Sequence, residues 1–140
     1  KNDHLDALVA FLCRMVRAEC HQAGLRCRID AALIDDCRVV PSERRHNIVL
    51  ALREAVHNAL KHAAAGELAL TVKFAHDTLT VTLADNGRGF TVSAAGHNGN
   101  GLANMKSRLE KFHGALSIVS VSGGGATVRF SIPIPNGKQS

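Results

Sequence analysis

Leu68-Ala69-Leu70-Thr71-Val72-Lys73-Phe74, the link Ala75-His76-Asp77-Thr78, and then Leu79-Thr80-Val81-Thr82-Leu83 decide the fold. Leu68, Leu70, Val72 and Phe74 alternate with small or polar residues, and so do Leu79, Val81 and Leu83. A period of two is the signature of a strand buried on one face only. The short polar link joins the two runs as an antiparallel hairpin. A doubly wound parallel sheet needs strands that are apolar on both faces, and these are not.

Working outward, the same logic reads the remaining elements. Upstream, Leu5, Leu8, Val9, Leu12, Met15, Val16 and Cys20 recur at three- and four-residue steps. They predict an amphipathic helix capped by Asp3, with Asp6 three residues on, and stopped near Gly24. Leu25, Cys27 and Ile29 alternate with Arg26, Arg28 and Asp30, which predicts a half-buried strand. Pro41-Ser42 opens a second helix, with Ser42 as its candidate cap and an end near His62. Downstream, residues 85–101 are rich in Gly, Asn and Ser and show no period. Leu102, Met105, Leu109 and Phe112 predict a third helix stopped by Gly114. Two further runs, Leu116-Ile118 and Val128-Phe130-Ile132-Ile134, form a second hairpin through Ser122-Gly123-Gly124-Gly125. Pro133 puts the last strand at a sheet edge or ends it there. The expected architecture is α+β: a two-layer sandwich, with about three helices on one face of a mixed, mostly antiparallel sheet.

Composition bounds the rest. A folded chain of 140 residues buries roughly two-thirds of its surface, enough for one core but not two. We therefore read residues 1–140 as a single domain, with a loose tail from about residue 136. The apolar fraction is 46% and the charged fraction 21%, as in ordinary globular domains. The chain opens at Lys1 and shows no secretory leader, so it reads as a piece of something longer. Cys13, Cys20, Cys27 and Cys37 form no Cys-x-x-Cys pair, and the expectation is reduced thiols, two of them core-facing. The net charge of +5 suits any polyanion. With no Trp or Tyr and five Phe, stacking on single-stranded nucleic acid is poorly supported.

Four features carry chemistry. On the second helix Glu54, Asn58, Lys61 and His62 fall within about 100° of arc, opposite Leu52, Val56 and Ala59. A solvated helix flank has the same look. Yet an Asn oxygen suits Mg²⁺, Glu can act as a base, and Lys is a point charge for phosphate. The second feature is Asp85-Asn86-Gly87-Arg88-Gly89-Phe90, at a strand end. It is turn chemistry, but it also lets a ligand approach the backbone beside a carboxylate that can accept from an exocyclic amine. The third, Gly99-Asn100-Gly101-Leu102, opens a helix and presents N–H groups to an anion. It is neither a Walker A motif nor a Rossmann fingerprint. The fourth, Gly123-Gly124-Gly125, is a hairpin turn by default.

In order and spacing these features resemble the ATP-binding (Bergerat-fold) domain shared by gyrase-type ATPases, mismatch-repair ATPases and sensor histidine kinases. The pattern is Glu54-x-x-x-Asn58-x-x-Lys61-His62-Ala63, Asp85-x-Gly87-x-Gly89, Gly99-x-Gly101-Leu102-x-Asn104-Met105, and Gly125 before a strand ending near Pro133. The nearest likeness is to the catalytic domain of bacterial two-component histidine kinases of the short-lid class related to nitrate sensors, over residues 44–135. The resemblance implies ATP and Mg²⁺ as cofactors. It implies that Asn58 binds the metal and that Glu54 is the acidic residue activating the attacking group. Lys61 and His62 would lie along phosphates or ribose, and Asp85 would accept from adenine. Gly87 and Gly89 would let the pocket close on the backbone. Gly99, Asn100, Gly101 and Leu102 would hold phosphates by their main chain. The implied partners are a histidine-bearing dimerisation domain of the same full-length protein, itself a homodimer, and a response regulator, with no nucleic acid; the implied location is cytoplasmic, either free or as the cytoplasmic part of a membrane-bound sensor.

Two departures qualify the likeness. The family usually has Thr directly after the glycine matched to Gly125; here Ala126 stands there and Thr127 is one step on, so it points to the other face. Nothing resembles the phosphoacceptor histidine, so the chain is expected to bind ATP without phosphorylating itself. Three other readings compete: a Bergerat-fold ATPase clamp, an anti-sigma-type serine kinase and, remotely, a basic nucleic-acid-binding module.

Overall fold

A computed structural model describes residues 3–31, 34, 36, 38–62, 66–86, 101–121 and 125–136. In chain order the elements are α1 (Leu5–Ala23), β1 (Arg26–Ala31), α2 (Ser42–His62), β2 (Glu67–Ala75), β3 (Thr78–Asp85), α3 (Gly101–Glu110), β4 (Ala115–Val121) and β5 (Gly125–Pro133). The five strands make one sheet in the order β1-β2-β3-β5-β4. Only β1–β2 is parallel; the other three pairs are antiparallel. The helices lie on one face, which gives the two-layer α+β arrangement that the alternation predicts. Among the described residues no helix is long and apolar enough to cross a membrane.

The core lies between the layers. Leu68, Leu70, Val72, Leu79, Val81, Leu83, Val128, Phe130 and Ile132 point inward from the sheet and are all but inaccessible. They meet Leu5, Leu8, Leu12 and Val16 of α1, Ile48, Leu52 and Val56 of α2, and Met105 and Leu109 of α3. Cys13 and Cys20 are buried among them as free thiols, and Cys27 is a third free thiol. Burial, with Cys27 beside it, pushes the Cys20 thiol up to about 12. Cys37 lies outside the described residues.

Several boundaries differ from the sequence reading, each for a local reason. Asp3 does not cap α1: His4 takes the cap position without a side-chain bond. Instead, Leu5 N–H donates to Arg38 O at 2.9 Å and Val40 N–H donates to Asp3 O at 2.8 Å, so main chain does the capping. Ser42 is already helical, because Pro41 O accepts the first helical bond from Arg45 N–H at 2.9 Å. The first hairpin is tighter than its four-residue link suggested. The ladder runs to Ala75↔Thr78, leaving His76 and Asp77 at φ 53° and 58° as a two-residue turn. Past α3 the left-handed residue is His113 (φ 64°), not Gly114. Gly114 serves close approach instead, since a Cβ there would come within 2.6 Å of Ser131 O. β5 is an interior strand and ends at Pro133. The tail beyond Asn136 lies outside the described residues.

Arg38 joins three parts of the fold. Its guanidinium donates to Asp36 and Asp77 carboxylates at 2.9–3.0 Å and to Ile134 O at 2.7 Å, and it lies 4.8 Å from the Phe74 ring centroid. Only 13% of the side chain is exposed. Arg38→Ala is therefore expected to cost about 3 kcal/mol, which lowers the melting temperature by about 10 °C. A thermal melt checks it, and a shift of only a degree or two would contradict this tie. The same bonds hold the Asp36 carboxyl below its ordinary value. That stability is present above the ordinary carboxylate range and is lost as pH falls through the lowered value.

Candidate nucleotide site

Chain direction brings the elements that carry the described site residues to one end of the sheet. α2 starts near the end of β5, where the Arg44 guanidinium donates to Pro133 O and lies 4.9 Å from the Phe112 ring centroid. It finishes beside the start of β2, which pairs with the end of β3 through Leu68↔Asp85. β5 starts at that same end, and α3 runs away from it, leading into β4 through Ala115↔Ser131 at the opposite end. The C-terminal half of α2, Asp85, Gly125 and the first turn of α3 therefore share one end of the helix layer.

On α2, Glu54 and Asn58 are half-buried and Lys61 is exposed, while Leu52, Ala55, Val56 and Ala59 face the core. The Asn58 amide nitrogen is shielded from solvent with no hydrogen-bond partner. A buried donor left unused costs stability, so its presence on this face points to a polar group that the chain itself does not supply. Glu54 lines a cleft of about 110 Å³ between α2 and α3, together with Arg53, His57, Asn104 and Arg108. Arg108 is steadied from α2, its Nη1 donating to Asn47 Oδ1 at 3.4 Å while Asn47 Nδ2 donates to Glu43 O at 2.8 Å. His57 pairs with Glu19 of α1 at 3.7 Å.

Asp85 is the last residue of β3 and falls on the inward side with Leu79, Val81 and Leu83. Its Oδ1 accepts from Ala126 N–H at 3.3 Å. Gly125, at φ 89°, seats its backbone against Asp85: a Cβ there would come within 2.2 Å of Asp85 O. Asn86 closes the corner, its Oδ1 accepting from Gly66 N–H at 2.9 Å and Glu67 N–H at 3.0 Å. Asn86 and Gly125 thus shape the main chain on either side of Asp85, a role that motif spacing does not reveal. The signal for Asn86 was there, since Asn readily bonds nearby main chain in turns. Thr127 sits on the outward face opposite Ala84 and Val119, away from the buried Ala126.

Other candidates are described in part. His62 is the last residue of α2, and Gly101 and Leu102 are the first two of α3. Gly87, Gly89, Gly99 and Asn100 lie outside the described residues.

Residues 43–136 match the family of histidine kinase-, DNA gyrase B-, and HSP90-like ATPases. The nitrate/nitrite sensor protein NarQ of Escherichia coli is 34% identical over 121 residues, which is 83% of this chain and 21% of that protein. The signal transduction histidine-protein kinase/phosphatase DegS of Bacillus subtilis is 34% identical over 85 residues, covering 59% of this chain and 22% of its own length. The chain thus spans about a fifth of these relatives. Among solved structures, the histidine kinase domain of the Erythrobacter litoralis blue-light activated histidine kinase superposes with a TM-score of 0.76. It is 25% identical, over 96% of this chain and 65% of that one.

Proposed function

Since the chain belongs to the histidine kinase-, DNA gyrase B-, and HSP90-like ATPase family, we propose that residues 1–140 form one ATP-binding unit of a two-component sensor kinase. It binds Mg-ATP and presents the γ-phosphate to a histidine on a separate dimerisation domain. The observation that carries this reading is the shared end of the helix layer: an unpartnered Asn58 amide, a strand-end Asp85 and the start of α3. Relatives named as a signal transduction histidine-protein kinase/phosphatase and as sensor histidine kinases support it over an ATPase clamp or a serine kinase.

Little covalent chemistry falls to this domain, because phosphoryl transfer is mostly positioning and charge neutralisation. Asp85, steadied by Ala126 N–H, accepts from the adenine amino group, and Gly87 and Gly89 let the base close on the backbone. Lys61 and His62 lie along the phosphates or ribose. The main chain of Gly99, Asn100, Gly101 and Leu102 meets phosphate oxygens, which the start of a helix favours. Asn58 would hold Mg²⁺ by its amide oxygen, and the unused nitrogen beside it fits a phosphate oxygen. Among the described residues no three His, Cys, Asp or Glu side chains cluster to hold a metal. Phosphate oxygens and water would complete the shell, the usual habit of Mg²⁺. The ion, when bound, neutralises phosphate charge. Glu54, set in the α2–α3 cleft, is the acidic residue that helps activate the attacking imidazole. The phosphate then passes to an aspartate of a response regulator. ATP as substrate fits a cytoplasmic location for this unit, and the dimerisation domain fits a homodimeric full-length kinase.

Asp85→Asn is expected to weaken Mg-ATP and Mg-ADP alike by about tenfold or more, since one charge-assisted hydrogen bond to the base is lost. Calorimetry with both nucleotides tests it. A variant that discriminates between them would remove Asp85 from the adenine.

A further inference from the structure

The outward face of the sheet, away from the helices, is an unusual surface. A hollow of about 610 Å³ on it is lined by Thr71, Lys73, Thr80, Thr82, Arg129 and Ser131. The registers lay these residues side by side: Thr71↔Thr82↔Arg129 in one row, Lys73↔Thr80↔Ser131 in the next. Ala69↔Ala84 makes a third row, so the floor is almost all short side chains. An approaching chain can therefore come close to the strands.

Charge stands around this floor. Arg26, Arg28, Lys73 and Arg129 oppose Asp30 and Glu67 on the outward face, and Glu67 is shared between Arg26 at 3.7 Å and Arg28 at 3.6 Å. Arg129 Nε donates to Thr82 Oγ1 at 3.4 Å. Among the described residues neither Lys73 nor Arg129 is paired with an acid. Both are therefore open to a partner carrying negative charge. Among the described residues no aromatic ring stands on this face to stack a base, because Phe74 and Phe130 point inward. That argues against nucleic acid.

We propose that this face is a docking surface for an acidic polypeptide segment, whose carboxylates pair with Lys73 and Arg129 while its backbone meets the hydroxyls of Thr71, Thr80, Thr82 and Ser131. Exposed charge pairs are individually weak, so the segment is held by several contacts and binding falls with salt. The surface lies across the sheet from the nucleotide site and is filled independently of it.

The test is an amide NMR titration of the chain with a Glu-rich peptide, at low and high salt, with and without saturating Mg-ADP. Expected are shifts at the six lining residues, salt-weakened and indifferent to Mg-ADP. Lys73→Glu with Arg129→Glu should weaken the peptide by about tenfold or more. Should that pair disturb folding, Lys73→Gln with Arg129→Gln serves instead, with a smaller loss expected. Shifts confined to the helix face would overturn the proposal. So would inorganic tripolyphosphate binding the same residues as tightly, which would mark a free-anion site, or oligo(dT) binding more tightly than the peptide. Failure of Mg-ADP to bind anywhere bears on the nucleotide reading alone.

Discussion

Asn58→Ala is expected to abolish Mg-ATP binding, a loss of about a hundredfold or more, with the fold left intact. The two halves of that result come from different physics. In the proposed site the neutral Asn58 amide oxygen would be the protein's own contact to the ion, and without it the phosphate charge would be left less neutralised beside α2. The fold, by contrast, loses nothing it was using, because the Asn58 nitrogen is buried without a partner. Removing an unsatisfied donor is close to neutral, and Ala is the better helix former by roughly half a kcal/mol. Calorimetry with Mg-ATP and a parallel melt read both halves. A variant that binds as tightly as wild type would end the metal assignment, and one that melts far lower would show that Asn58 is structural.

Gly125→Ala is the second large effect, and here stability and binding fail together. The residue sits at φ 89°, where a side chain is strained, and its new Cβ would lie 2.2 Å from Asp85 O. Backbone cannot yield as a flexible side chain can, so β3 and β5 must part at the point where Ala126 N–H reaches Asp85. The expected cost is about 3–4 kcal/mol, or roughly 12 °C in melting temperature. Mg-ADP affinity should drop as well, because the displaced group is the carboxylate assigned to the base. Unchanged melting would mean that the strands adjust freely, and the close fit would lose its meaning.

How much of this was legible in the residues depends on the range of the interaction. Alternation in Leu68–Phe74 and Leu79–Leu83 announced one covered face, and the structure covers one face. Helical spacing put Glu54 and Asn58 on one flank of α2, and both are half-buried there, with Glu54 lining the cleft against α3. What stayed hidden was contact between distant residues. Pro133 marks a strand end, but nothing local says that β5 inserts between β3 and β4. Arg38 looks like any charged loop residue until Asp77 and Ile134 fold onto it. Gly114 reads as a helix stop, whereas His113 takes the left-handed turn and Gly114 makes room for Ser131 O.

The position of β5 has a consequence for synthesis. Of the five described strands, the one made last is not an edge but the piece that joins β4 to the rest of the sheet. Until residue 133 emerges, β3 offers an open rim of main-chain donors and acceptors beside Leu79, Val81 and Leu83. A chain stopped before that point would carry a sticky, aggregation-prone border, and the sheet completes itself only once β5 has emerged.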